Sequence, residues 1–156
     1  MFDIRPDDLT DPQTRALLAL HLSGMQANSP AEAVFALDLS GLQRPDIAVW
    51  TAWDGAAIAG VGALRVLVAD DCEIRGEIKS MRTHPDHLRR GVAAALLRHI
   101  IGQARDRGMT RLSLETGSGP AFDPALALYR AHGFMEGEAF GGYHASAFNQ
   151  FLHLRI

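Results

Sequence analysis

The chain has 156 residues, 47% hydrophobic and 21% charged, with a formal net charge of −3 at pH 7. This size and composition predict one globular domain over residues 1–156. A single cysteine, Cys72, excludes a disulfide framework and a four-cysteine zinc site and favours a reducing cytoplasm. No apolar run approaches the ~20 residues of a membrane span, and the acidic first residues differ from a signal peptide. The small negative charge gives little support for nucleic-acid binding, so we expect a cytoplasmic protein without a membrane or nucleic-acid partner.

The first third of the chain predicts an edge strand and two helices. Phe2–Arg5 has the length of a short strand and stops at Pro6, which has no amide hydrogen to donate. Apolar residues then recur at helical spacing from Thr10 to Ala27, with Thr10 as the candidate N-cap. Ala31–Leu39 indicates a second, short helix.

The middle of the chain predicts a meander of three strands. Ile47–Trp53 and Ile58–Val68 are typical of paired strands, and Asp54-Gly55 between them is a strong hairpin signal. Asp70-Asp71 predicts the next turn. Within Cys72–Thr83, uncharged residues such as Ile74 and Ile78 alternate with charged residues such as Glu73 and Arg75. This alternation predicts a third strand with two distinct faces.

The second half predicts a helix, a strand, a helix and two closing strands. These elements cover Leu88–Gly108, Arg111–Glu115, Asp123–Gly133, the residues from Phe134 onward, and Phe148–Ile156. Asp123 followed by Pro124 is typical of an N-cap and a first helical position. The order of elements along the whole chain favours an α/β fold with a mixed sheet.

The loop after Thr83, with the sequence His-Pro-Asp-His-Leu-Arg-Arg-Gly-Val-Ala, is the most informative stretch. It connects a predicted strand to a helix whose first turn carries Arg89, Arg90 and Gly91. Free amides, the helix dipole and two arginines together predict an anion site, and Gly91 lets phosphates approach the backbone. The alternative is an ordinary loop with a solvated basic helix start. The stretch lacks both the Gly-Lys-Ser/Thr of a Walker loop and the G-x-G-x-x-G spacing of a dinucleotide site.

This stretch resembles the acyl-CoA-binding motif of the GNAT superfamily of N-acetyltransferases, commonly Gln/Arg-x-x-Gly-x-Gly/Ala. Gly91 and Ala93 match the motif, whereas Leu88 stands where Gln or Arg is usual. Downstream, Ala127–Phe134 resembles the family's Leu-Tyr-x-x-x-Gly-Phe helix end. Two motifs in the right order, with the elements around them, extend the resemblance over roughly residues 47–156.

The resemblance implies a fold and an activity. The fold would be α/β (α+β), with a mixed, largely antiparallel central sheet of about six to seven strands and about four flanking helices. The activity would be direct transfer of an acetyl group from acetyl-CoA to a primary amine within a ternary complex. Two alternatives stay open: a sensor or partner protein that binds acyl-CoA without catalysis, and an enzyme that binds another phosphate ligand. Exposed sheet edges also make a homodimer an expectation.

The resemblance further implies where acetyl-CoA binds. Its pantetheine would lie against the end of the fourth strand and form strand-like bonds to the backbone at Met81, Arg82 and Thr83. Its diphosphate would lie on the amides of Arg89, Arg90, Gly91, Val92 and Ala93. Arg89 is a candidate for the side-chain donor that Leu88 does not supply.

Two residues are candidates for catalysis. The family often has a carboxylate base on the fourth strand, and Glu77 is predicted to share a face with Met81, ~13 Å away, which suits a water relay. In the alternative, Glu77 belongs to a wet face on which each charge pairs with a neighbour. Tyr129, three residues after Leu126, would face the sheet and protonate the departing thiolate. In the alternative, it is a buried tyrosine with a satisfied hydroxyl.

Other polar residues carry weaker signals. Cys72 lies beside acidic residues that disfavour a thiolate nucleophile, which favours direct transfer. His84 and His87 have metal-like spacing without an evident third ligand, so we expect no metal. Glu115, at a strand end, either lines an acceptor pocket or caps a loop. Fold analogy alone suggests further acceptor contacts from Tyr143, Ser146 and Asn149.

Overall fold

One seven-stranded sheet forms the centre of the fold in the computed structural model, which describes residues 1–69 and 71–156. Its strands are β1 Asp3–Pro6, β2 Ile47–Asp54, β3 Ala57–Val68, β4 Ile74–Thr83, β5 Arg111–Thr116, β6 Met135–Glu136 and β7 Gln150–Arg155. They lie in the order β1-β2-β3-β4-β5-β7-β6, with β4 parallel to β5 and the other described neighbours antiparallel. This confirms the predicted mixed, largely antiparallel sheet. Asp70, in the predicted turn Asp70-Asp71, lies outside the described residues.

Four α-helices cover the two faces of the sheet in the described parts of the chain. They are α1 Pro12–Asn28, α2 Leu39–Leu42, α3 Val92–Asp106 and α4 Asp123–Ala131. Buried residues of α1 and α2 pack with Trp53 on one face, and those of α3 and α4 pack with Trp50 on the other. None of the helices that the structure describes is long and apolar enough to cross a membrane. The sheet with four helices agrees with the expected architecture.

The first helices begin at other residues than the sequence predicts. Asp11 rather than Thr10 caps α1, because its carboxylate accepts a 2.8 Å hydrogen bond from the amide two residues on. The Thr10 hydroxyl instead donates to Asp8 at 2.6 Å. The predicted helix Ala31–Leu39 is wrong, since that segment forms a three-residue 3-10 turn and α2 starts later, where Asp38 caps it.

A β-bulge in β4 changes which residues share a face. Ser80 has a φ of 56°, and the register with β3 shifts between Lys79 and Arg82. One extra residue on a strand reverses the faces of all residues beyond it. Met81 therefore packs with the core beneath α3, whereas Glu77 lies on the side of α1. The prediction that Glu77 and Met81 share a face is wrong.

β4 and β5 pair briefly and then diverge. Their described pairing covers Arg75–Glu77 of β4 and Arg111–Ser113 of β5. From Ile78 to Thr83, the edge of β4 that faced β5 has no described strand beside it, while its other edge stays paired with β3. Backbone N–H and C=O groups on such an edge are available to a ligand. Two cavities lie along this gap.

Candidate active site

The start of α3 differs from the prediction in a way that exposes backbone amides. The helix begins at Val92 rather than near Leu88, because Arg89 and Gly91 have positive φ angles, of 58° and 83°. Gly91 caps the helix, and its carbonyl accepts a 3.0 Å hydrogen bond from the amide of Ala95. The amides between these two residues lack partners within the helix. Together with the helix dipole, they can bind an anion.

Two glycines shape this candidate anion site. Apart from Gly91 itself and the residues on either side of it, no described residue has an atom within 4 Å of the position that a Cβ on Gly91 would take, and its left-handed φ favours glycine. A Cβ on Gly60 of β3 would lie 2.6 Å from Val92 and 3.1 Å from the carbonyl oxygen of Arg82. Because Gly60 has none, the start of α3 packs directly against the sheet. The space beside Gly91 is therefore open to a ligand, while the packing at Gly60 fixes the helix amides against the sheet. This arrangement fits a phosphate-bearing ligand.

A cavity of about 510 Å³, which we name the α3 groove, lies between the end of β4, the start of α3 and the facing side of α4. All but one of the residues predicted to bind the cofactor line it, namely Met81, Arg82, Thr83, Arg89, Gly91, Val92 and Ala93. The α3 groove thus joins the unpaired edge of β4 to the free amides of α3.

Arg90 is the exception among those residues. Its guanidinium lies 3.1 Å from Oδ2 of Asp54 and 5.6 Å from the centre of the Phe2 ring. The hydrogen bond from Arg90 holds the pKa of Asp54 below its usual value. The Arg90 side chain is thus bound to the end of β2 rather than to the groove, and its predicted role as a donor to the anion site stays a prediction. Arg89 does line the groove, while Leu88 is 57% exposed and has no polar side-chain atom.

A second cavity of about 180 Å³, which we name the α1 cavity, lies between the diverging strands, α1 and the loop before β7. Its polar lining includes Glu77, Lys79, Arg82, Glu115 and Tyr143. The residues that line both cavities are Met81, Arg82, Ala121, Ala125 and Tyr129. The two cavities therefore meet where α4 faces the end of β4.

Glu77 belongs to a buried network with compensated charge. Its carboxylate is 2% exposed and lies 3.3 Å from Nζ of Lys79 and 4.0 Å from Nη1 of Arg65. The Tyr143 hydroxyl donates to the same carboxylate and accepts a 2.9 Å hydrogen bond from Lys79. Burial, followed by the nearby Glu77 charge, raises the pKa of Tyr143, so this phenol stays protonated. The charge pairing that the sequence left as an alternative for Glu77 is present, but the carboxylate is buried and does not lie on a wet face.

Glu115, at the end of β5, has a carboxylate oxygen without a partner among the described residues. It lines the α1 cavity, and its Oε2 is buried without a hydrogen bond to any residue that the structure describes. Burial, with a smaller contribution from Glu77, raises the pKa of Glu115 to about 7, although Lys79 opposes the shift. A carboxyl group with this pKa exchanges protons readily at neutral pH. Of the two roles that the sequence left open for Glu115, the structure favours the pocket.

Tyr129 stands where the two cavities meet. Its ring is 6% exposed and packs edge-on against Phe134, with ring centres 5.7 Å apart. Its hydroxyl forms no hydrogen bond with a residue in the described parts of the chain, and burial raises its pKa. The Tyr129 hydroxyl is therefore protonated and can donate a hydrogen bond to a ligand bound in either cavity.

Arg82 has a place that the sequence did not reveal. Its guanidinium lies against α1, where a Cβ on Gly24 would be 3.2 Å from Nη1. Burial, with Arg82 adding repulsion, lowers the pKa of His21 to about 4, so that imidazole is neutral at pH 7. Simple alternation puts Arg82 on the other face, because the bulge at Ser80 has no clear sequence signal. The signal in the sequence that could have indicated this contact is Gly24, the glycine inside α1.

The remaining candidates lie outside the two cavities. Ser146 and Asn149 hydrogen-bond to each other at 3.1 Å, and Cys72 is exposed near the start of β4. His87 lies 3.3 Å from Asp54, and its ring centre is 5.9 Å from that of His84. Across residues 1–69 and 71–156, no three or more His, Cys, Asp or Glu side chains are grouped to hold a metal ion. The expectation of a metal-free site stays a prediction.

Comparisons with known proteins agree on one family. The acetyltransferase (GNAT) family model matches residues 14–134. The chain is 47% identical to the uncharacterized N-acetyltransferase YedL of Escherichia coli (strain K12), over all of this chain and 96% of that protein. It is 49% identical to the uncharacterized N-acetyltransferase YsnE of Bacillus subtilis (strain 168), over 90% of each. A solved structure from Klebsiella pneumoniae, named provisionally as an acyl-CoA N-acyltransferase, matches with a TM-score of 0.79 and 26% identity, over 99% of this chain and 97% of that one.

Proposed function

The chain belongs to the acetyltransferase (GNAT) family, and from this premise we propose that it transfers an acetyl group from acetyl-CoA to a primary amine. The observation that carries the proposal is that Tyr129 lines both the α3 groove and the α1 cavity. A donor in one cavity and an acceptor in the other would meet beside its hydroxyl. Residues 1–156 would act as one catalytic domain.

Acetyl-CoA is proposed to occupy the α3 groove. Its diphosphate would bind the free amides that follow Gly91, where the missing Cβ leaves space. Arg89 would add a side-chain donor to the diphosphate. The pantetheine would hydrogen-bond to the unpaired backbone edge of β4 at Met81–Thr83. The thioester would then lie near Tyr129, at the entrance to the α1 cavity.

The proposed chemistry is direct transfer between two bound substrates. The neutral amine nitrogen attacks the thioester carbonyl carbon, a C–N bond forms and the C–S bond breaks. Tyr129 donates its proton to the departing thiolate, a role supported by its uncommitted hydroxyl and by its position where the two cavities meet. A covalent acyl-enzyme is not needed, and Cys72 lies outside both cavities.

The proton lost by the amine requires a base in the α1 cavity. Glu77, the base predicted from the sequence, uses its carboxylate to hold Lys79 and Tyr143. Glu115 has an uncommitted oxygen and a pKa near neutrality. We therefore propose that Glu115 accepts the proton, directly or through water, and that Glu77 positions its neighbours. The role of Glu77 stays a prediction that charge-removing variants can test.

The direct test is release of free thiol from acetyl-CoA in the presence of a panel of primary amines. We expect turnover with at least one amine, and calorimetry should detect CoA binding that Gly91→Ala weakens. CoA uptake without turnover on any amine would instead support a non-catalytic acyl-CoA sensor. Heat protection by ATP or NAD but not by CoA would overturn the assignment of the α3 groove.

A further inference from the structure

Two side chains of opposite charge in the α1 cavity have no partner among the described residues. The charge of Glu77 is met by Lys79 and Arg65. Oε2 of Glu115 is buried without a hydrogen bond, and Arg82 forms neither an ion pair nor a side-chain hydrogen bond within residues 1–69 and 71–156. No ion pair joins Glu115 to Arg82 in those parts of the chain. The cavity therefore presents one uncompensated cation and one carboxylate to whatever enters it.

The position of Arg82 is built into the fold. The bulge at Ser80 turns the Arg82 side chain toward α1, while its backbone stays on the edge of the α3 groove. Gly24 leaves space for the guanidinium, since a Cβ there would lie 3.2 Å from Nη1 and 3.5 Å from Nη2. The neighbouring His21 is neutral at pH 7, so it adds no second positive charge beside the guanidinium. Arg82 is thus available to an anionic group of the acceptor.

We propose that the acceptor is a small amino acid with a free carboxylate, held between Arg82 and Glu115. This inference rests on the proposed function and names its substrate class. The guanidinium fork binds carboxylates in a two-point geometry, and Glu115 lies where the amine can hydrogen-bond and give up its proton. The size of the cavity, about 180 Å³, suits a small molecule. Met25, Phe35 and Leu114 add apolar wall, which favours an apolar side chain.

The same charges disfavour other amines. A polyamine would bring a second cation, which Arg82 would repel. A protein lysine would bring no free carboxylate, so Arg82 would be left without a partner. A buried charge without a partner is costly, and this cost discriminates against such acceptors. The free carboxylate of the acceptor is therefore the feature that the site selects.

Matched acceptors test this selection on the unmodified protein. Thiol release should be measured with free amino acids of apolar side chain, with the amide of each, and with the amine that lacks the carboxylate altogether. We expect kcat/KM to be ~10- to 100-fold higher for the free acid than for the other two, the scale of a charge-assisted hydrogen bond. Amides or amines that react as well as the acids would overturn the inference. Failure of every amine to react would overturn the proposed function instead.

Variants of Arg82 test whether this residue is responsible for the preference for a free carboxylate. Arg82→Gln should raise KM for the amino acid ~10- to 100-fold while changing KM for acetyl-CoA and for the amide less than ~2-fold. Arg82→Lys should recover part of the loss, because it keeps the charge without the fork. Arg98→Gln, which removes an exposed arginine of α3 outside both cavities, is the matched control. If Arg82→Gln raises KM for acetyl-CoA instead, Arg82 serves the coenzyme and the inference is wrong.

Discussion

The α3 groove and the α1 cavity lie side by side but are built in different ways. The α3 groove presents backbone: the amides that follow Gly91 and the open edge of β4. The α1 cavity presents side chains whose positions depend on distant parts of the chain, as where Tyr143 contacts Glu77 across 66 positions. A backbone site is encoded by local residues and recurs as a motif. A side-chain site is assembled by the whole fold and has no local signature.

The largest effect should come where the two regions meet. Tyr129→Phe removes the proposed proton donor without changing the ring, so kcat should fall ~10³-fold. Binding of CoA, measured by calorimetry, should change little. A variant that keeps wild-type kcat on its best amine would show that the thiolate needs no acid from α4.

The buried network should show its importance in stability. Glu77→Gln leaves the Lys79 ammonium, which is 8% exposed, without its anion, so the free energy of unfolding should fall by about 3 kcal/mol. Urea denaturation measures this loss, provided that the m-value is the same in both proteins. Asp106→Asn, at an exposed position, is the matched control. Adding Lys79→Met should recover part of the loss. If Glu77→Gln is as stable as wild type but flattens the pH profile of activity, Glu77 is the base and our assignment of Glu115 is wrong.

Glu115 should give the α1 cavity a pH dependence that the α3 groove lacks. Its folded pKa of about 7 means that the basic form grows as pH rises, so kcat/KM should increase up to about pH 8. Glu115→Gln should lose ~100-fold in kcat and should lack this limb, while the titration of the amine itself remains in both proteins. The affinity for CoA should not follow the same curve in either protein.

The raised pKa of Glu115 also makes the free energy of unfolding depend on pH. Because the folded pKa of Glu115 lies above its usual 4.5, the folded state holds this proton more tightly than the unfolded state does. That stabilisation is complete below about pH 4.5 and is lost as pH rises through about 7. Relative to Glu115→Gln, the wild-type protein should therefore lose unfolding free energy over that range. The opposite trend would contradict the buried position of this carboxyl.

A smaller effect should separate the backbone conformation at Gly91 from the stability of α3. Gly91→Ala introduces a Cβ at a φ of 83° and into the open space, so the Kd for CoA should rise ~10-fold. Gly102→Ala, inside α3 and also without neighbours, is the matched control and should leave binding unchanged while stabilising the helix slightly. Equal effects of the two substitutions would mean that helix stability, not the cradle at Gly91, governs binding.

What the sequence could predict follows the same division. Hydrophobic patterning and turn residues predicted the order of strands and helices, and the motif around Gly91 predicted an anion site where the structure has free helix amides. Leu88 was assigned to the helix because an apolar stripe does not show that Arg89 has a positive φ. The side chain of Arg82 was missed because the bulge at Ser80 depends on pairing with β3. The second of these misses lies where pairing with another strand overrides a local pattern.

The bulge in β4 also bears on how such an enzyme diversifies. At Arg82, one residue offers its backbone to the α3 groove and its side chain to the α1 cavity. On the proposed assignment of the two cavities, a substitution there would change the side chain that the acceptor contacts and keep the main chain that the acyl donor contacts. Acceptor specificity could then change through single codon changes without loss of the acyl donor.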